Sequence, residues 1–161
     1  MVTRRGFLAL MGAAGAAGVA AIAGITLLPG ESKPTGDPVI HLGRENCARC
    51  SMLISDVRFA AAWRDPAGQE KHFDDIGCMV FLEGERHPAA GTRFWVHDYQ
   101  TESWLDAATA AYVLAEGIKT PMSYGVAAAA TIEGAQRIAA NLTSARTAEW
   151  AALPGSLSKR G

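Results

Sequence analysis

Two thiols and a thioether fall within six residues at Cys47-Ala48-Arg49-Cys50-Ser51-Met52, and Gly43 and Asn46 stand just before them. That composition reads as a loop presenting sulfur. Thiolate and thioether are soft donors, and soft donors select Cu(I) over hard or borderline ions. Three other chemistries use similar spacing. A zinc site takes four nitrogen or sulfur ligands and has no use for the Met. A thiol-disulfide exchange pair wants a helix N-terminus after a strand to stabilise its thiolate, and no strand signal precedes this pair. The blandest alternative is a structural disulfide between Cys47 and Cys50, with Met52 filling core space.

Further donors lie downstream. Met122 sits in Thr120-Pro121-Met122-Ser123-Tyr124-Gly125, where Pro and Gly favour a turn that would present the side chain. Core packing is the competing role. His97 lies in Trp95-Val96-His97-Asp98-Tyr99, where Asp98 or Tyr99 could orient an imidazole, or where the ring is simply hydrogen-bonded at a strand end. His72 and His87 sit at turn positions and read as solvated. Cys78 follows Asp74-Asp75-Ile76-Gly77 at the start of an expected helix, which suits a thiol of lowered pKa or a small buried residue.

The elements that must position these residues are short. Val57–Arg64 and Glu70–Phe73 bracket the turn signal Asp65-Pro66-Ala67-Gly68 and predict a hairpin. Asp74-Asp75 caps a helix through Ile76–Leu82 that ends at Gly84. A second such unit is expected from strands Thr92–Asp98 and Ser103–Leu105, with Asp106 capping a helix over Ala107–Ala115. The pattern predicts an α+β domain built from two ββα units. A strand at Gly125–Thr131 and an amphipathic helix at Ile132–Leu142 follow, with Ile132, Ala135, Ile138, Ala139 and Leu142 on one face. The folded domain is expected over residues 39–142. The Ser/Ala/Lys-rich stretch at 143–161 reads as a flexible tail.

The N-terminus reads as an address. Thr3-Arg4-Arg5-Gly6-Phe7-Leu8 is a twin-arginine pattern, and an uncharged Ala/Gly-rich stretch runs from Phe7 to Leu28. Residues 1–28 are therefore expected to be a twin-arginine export signal, or an anchor on the outer face of the membrane if retained, and residues 29–38 a Pro/Gly-rich linker. The three cysteines are an odd number. In an exported protein this points to metal binding or thiol chemistry rather than a disulfide framework. Beyond Arg4 and Arg5 the chain has 13 basic and 16 acidic residues, which leaves no electrostatic footprint for nucleic acid.

Several blocks in order resemble the NosL family, the accessory proteins of nitrous oxide reductase maturation. They are Cys47–Met52 with Asp56–Ala61, Phe73–Cys78, Trp95–Tyr99, Trp104–Ala108 and Thr120–Ala127. The resemblance implies two paired ββα units, a fold grouped with alkylmercury lyase. It also implies a periplasmic Cu(I) chaperone, not an enzyme, that serves nitrous oxide reductase with the NosDFY transporter complex as partner. The family's Cys-x-Met pair falls on Cys50 and Met52, and the Met of its Pro-Met-x-Tyr-Gly block on Met122; Cys47 or His97 is the alternative third donor. Many members are lipoproteins anchored through a cysteine that ends the signal, and no cysteine stands there in this chain. The rival functions are a thiol-disulfide oxidoreductase using Cys47 and Cys50, or an organomercury-lyase-like enzyme using Cys50, Cys78 and Asp75.

Overall fold

The computed structural model describes residues 34–158; the expected leader at 1–28 lies outside them. The first hairpin forms as the turn signal requires. Strands β1 (Ala61–Arg64) and β2 (Glu70–Phe73) pair antiparallel. The Asp65 carboxylate accepts the backbone N–H groups of Ala67 and Gln69, both at 2.9 Å, and Gly68 supplies the left-handed residue at φ 93°. Helix α1 (Ile76–Arg86) follows, and strand β3 (Arg93–His97) returns on the other side of β1. Strand β4 (Trp104–Asp106) extends this sheet, giving the order β2-β1-β3-β4.

The second sheet repeats the plan. Strands β5 (Ala111–Leu114) and β6 (Val126–Ala129) pair antiparallel, helix α2 (Ile132–Ala139) follows, and strand β7 (Arg146–Glu149) returns on the far side of β5. The order β6-β5-β7 mirrors β2-β1-β3. The expected pair of ββα units is present, but the second begins at Ala111 rather than Thr92. The helix expected over Ala107–Ala115 does not form. Asp106 instead closes a turn, accepting from Ala108 at 3.0 Å through its side chain and from Ala110 at 3.1 Å through its carbonyl, and the chain then enters β5. Alanine favours helix locally, but all four side chains of β5 are buried, and a central strand satisfies both its faces and both its edges.

Residues 146–157 form a strand, a 3-10 turn and a helix where a flexible tail was expected over 143–161. β7 occupies the open edge of β5, a 3-10 turn covers Trp150–Ala152, and helix α3 (Leu153–Leu157) packs on α1. Leu153 is 0% and Leu157 3% exposed, and the Trp150 ring meets Phe94 and Tyr112. The short run with Pro154 and Gly155 hides this 150/153/157 spacing in the sequence, but it is the spacing of one helix face. The two sheets meet where Tyr99 N–H donates to Ala128 O at 2.9 Å and Ala130 N–H to the Asp98 carboxylate at 2.8 Å.

Leu153→Ala should therefore cost about 2–5 kcal/mol in urea denaturation, as truncation of a fully buried leucine does. A loose tail would give a change within about 0.5 kcal/mol.

Candidate metal centre

The sulfur-bearing loop is closed by its own backbone. Asn46 and Leu53 form an antiparallel bridge, Cys47 N–H donates to Met52 O at 2.8 Å, and Ser51 N–H donates to Cys47 O at 2.9 Å. Ser51 takes the left-handed conformation, φ 62°, to make the turn. Ala48 N–H donates to His72 O on β2 at 2.9 Å, which ties the loop to the first sheet. His72 is not the solvated turn residue expected from the sequence. It lies on β2 with its ring between the Glu45 and Glu70 carboxylates, because strand pairing turns it toward the loop.

The start of α1 completes the frame. Asp75 is the N-cap, accepting from Gly77 N–H at 2.8 Å; its second oxygen takes Met122 N–H at 3.1 Å, and it also accepts the Thr120 hydroxyl. Asp74 does not cap the helix, as the sequence suggested. It is buried and accepts Ser55 N–H at 3.0 Å, just past the sulfur loop. The two adjacent carboxylates thus hold two different loops at one helix terminus. Cys78 stands in the first turn of that helix, fully buried.

Three free thiols converge here. The Sγ atoms of Cys47, Cys50 and Cys78 all lie within 4.8 Å of one another. An ion about 2.3 Å from each of three sulfurs in a plane requires sulfurs about 4 Å apart, so small side-chain adjustments suffice. Cys47 and Cys50 were expected together. Cys78 was not placed among the ligands, although the odd cysteine count and the cap sequence before it were the available signals. Met52 is 53% exposed on the rim of the loop. Met122 is half-buried against the core cluster that contains Cys47 and Cys78, its backbone fastened to the α1 cap. His97 is not in the group that converges among the described residues. It is buried at the end of β3, its Nδ1 is 2.9 Å from Ala60 O, and its ring lies 3.6 Å from that of Trp104 across the β3–β4 pair. The ring thus sits at the strand end between Ala60 and Trp104 rather than with the three thiols.

The thiols are not equivalent. Cys47 accepts a hydrogen bond from the Cys78 thiol and from the backbone N–H groups of Cys50, Asp74 and Arg49; these outweigh burial and hold it well below the usual thiol range. Cys78, donating to that thiolate and buried beside it, is pushed far above its usual value. Burial also raises Cys50. The centre therefore presents one resident thiolate and two thiols whose protons must leave when a metal binds.

At neutral pH the metal-free, reduced protein should show ultraviolet thiolate absorption from one cysteine, persisting until acid titrates it and absent in Cys47→Ser. The sign for stability follows. Between the depressed value and the ordinary thiol range the folded state holds fewer protons at Cys47 than the unfolded chain, so this contribution grows as pH rises through that interval and is lost as pH falls.

The NosL family model matches residues 38–154. Among solved structures, the copper chaperone NosL from Shewanella denitrificans has the same fold, with a TM-score of 0.62 at 13% identity, covering 73% of this chain and 96% of that one. No curated protein sequence matches the chain. The family match runs from the linker's end into α3 and takes in the whole sulfur centre, and on it the chain belongs to the NosL family.

Proposed function

We propose that this protein is an exported carrier that holds copper as Cu(I) and surrenders it during maturation of nitrous oxide reductase, with the NosDFY complex as its membrane partner. The observation that carries the reading is the convergence of Cys47, Cys50 and Cys78 beside two methionine-bearing loops. An all-sulfur donor set suits a soft monovalent ion. Cys50 and Met52 are the donors facing outward: Cys50 is half-buried and Met52 exposed, so an incoming ligand reaches the ion from their side. Cys47 and Cys78 close the inner side, and Met122 is the thioether donor from the second loop. The copper named for the Shewanella protein and the family membership support the cargo. The twin-arginine pattern supports export to the periplasm.

The thiol arrangement weighs against disulfide exchange with other proteins. Such an enzyme exposes its low-pKa thiol, whereas here the thiolate belongs to Cys47, 2% exposed, and the accessible Cys50 is shifted upward. The carrier reading also gives the exposed Met52 a role, which organomercurial cleavage does not.

Anaerobic titration of the reduced protein with Cu(I), in competition with a chromogenic chelator, tests this. About one equivalent should bind. Cys50→Ser should lose at least about tenfold in affinity, equivalent to about 1.4 kcal/mol, and Met52→Leu somewhat less. Wild-type affinity in Cys50→Ser would remove the assignment.

A further inference from the structure

Arg49 lies between the two cysteines of the loop in sequence, and its side chain reaches out of that loop to helix α1 and to the loop after β5. Nε and Nη2 donate to Glu85 Oε1 on α1 at 3.1 and 2.8 Å. Nη1 donates to the Tyr124 hydroxyl at 3.0 Å. The guanidinium carbon stands 5.0 Å above the Phe81 ring, which is itself 5.1 Å from the Tyr124 ring.

Tyr124 is two residues from Met122, and its side chain packs against Gly77. A Cβ at position 77 would meet the tyrosine ring carbons at 2.3 and 2.4 Å, so glycine is required for this approach. The Met122 loop is therefore fastened to α1 by Asp75 and by the Tyr124 ring, and to the cysteine loop by Arg49 through the Tyr124 hydroxyl. Its turn is also strained. Ser123 sits at φ 59°, beside Met122, as Ser51 sits at φ 62° beside Met52. Non-glycine residues held in the left-handed region mark places where surrounding contacts over-determine the backbone. The Arg49–Glu85 pair is half-exposed, with side chains 27% and 50% accessible, and pairs of that kind contribute little to folding. What Arg49 does beyond that is join the cysteine loop to the methionine loop.

We infer that Arg49 is a positioning residue, a latch that through Tyr124 holds the Met122 thioether against the cysteine cluster so that it completes the Cu(I) site. The inference rests on the copper reading above and names what assembles the donor set. While the latch is closed, the ion is gripped from both loops. Once Arg49 leaves Tyr124, the second loop loses its link to the cysteine loop and keeps the Asp75 bonds and the ring contacts with Gly77 and Phe81, which fasten it to α1 alone.

Cu(I) competition titrations on the full chain, with sulfur coordination numbers from X-ray absorption of the loaded protein, test the latch. The variants are Arg49→Met, Tyr124→Phe, Met122→Leu, the double variant Arg49→Met/Met122→Leu, and Cys50→Ser. Arg49→Met and Met122→Leu should each weaken binding about tenfold and remove one sulfur neighbour, and the double variant should be no weaker than either alone. Tyr124→Phe, which keeps the charge and the ring, should reproduce the loss. The melting temperature of the metal-free protein should not move in Arg49→Met. Additive losses in the double variant, or full affinity in Tyr124→Phe with a loss in Arg49→Met, would show that Arg49 acts by charge and would overturn the latch. Full affinity in Arg49→Met beside a loss in Cys50→Ser would overturn the latch and leave the copper site standing. No competitive binding by the wild type would overturn both.

Discussion

The structure turns on one helix terminus. The N-terminus of α1 leaves backbone N–H groups without helical partners; the buried Asp75 answers one of them, and the equally buried Asp74 stands next to it. Asp75 closes the helix and spends its second oxygen on Met122, while Asp74 spends its own on Ser55. Burial lifts both acids above the usual carboxylate range, a desolvation cost that their hydrogen bonds offset in part. Among the described residues no buried side-chain nitrogen or oxygen is left without a partner. Two loops far apart in sequence are thereby fastened to one point, and the first turn of the same helix carries Cys78.

A duplicated architecture makes that point available. In each half a central strand receives its hairpin partner on one edge and, after a helix, a returning strand on the other. The first half supplies the sulfur loop's attachment to β2 and the helix with Cys78; the loop between β5 and β6 in the second half brings Met122 and Tyr124 across. The three thiols thus come from the first half, and the second half fastens its β5–β6 loop to the helix cap beside them. The C-terminal segment bears on the same helix: α3 packs on α1 and its leucines close the core behind it.

The electrostatics follow from this geometry. The Cys78 thiol, with backbone N–H groups of the loop and of Asp74, donates to Cys47 and keeps negative charge in a buried place, and Cys78 holds its proton the more tightly for it. A soft cation would find one ligand already ionised. The two remaining thiols lose protons only as the ion arrives, which ties loading to proton release. Arg49, with its cation near the thiols and its donors spread over Glu85 and Tyr124, balances charge at the site and joins its walls.

Much of this was legible in the residues alone, and the exceptions have definite causes. The Cys-x-x-Cys-x-Met loop, the first hairpin and the cap of α1 are local: a few adjacent residues with strong turn and cap chemistry determine them, so sequence suffices. The register of the second ββα unit was not legible, because Ala107–Ala115 is locally a good helix and becomes a turn and strand only once β6 and β7 bury both its edges. The C-terminal helix was hidden for the same reason, since Leu153 and Leu157 declare themselves only against a surface to cover. At the centre, sequence determined which soft donors exist. Tertiary structure alone decided which of them meet, bringing Cys78 in from the helix and leaving His97 with Ala60 and Trp104, because a ligand set is a matter of distance in space and α1 and β3 point these side chains into different parts of the fold.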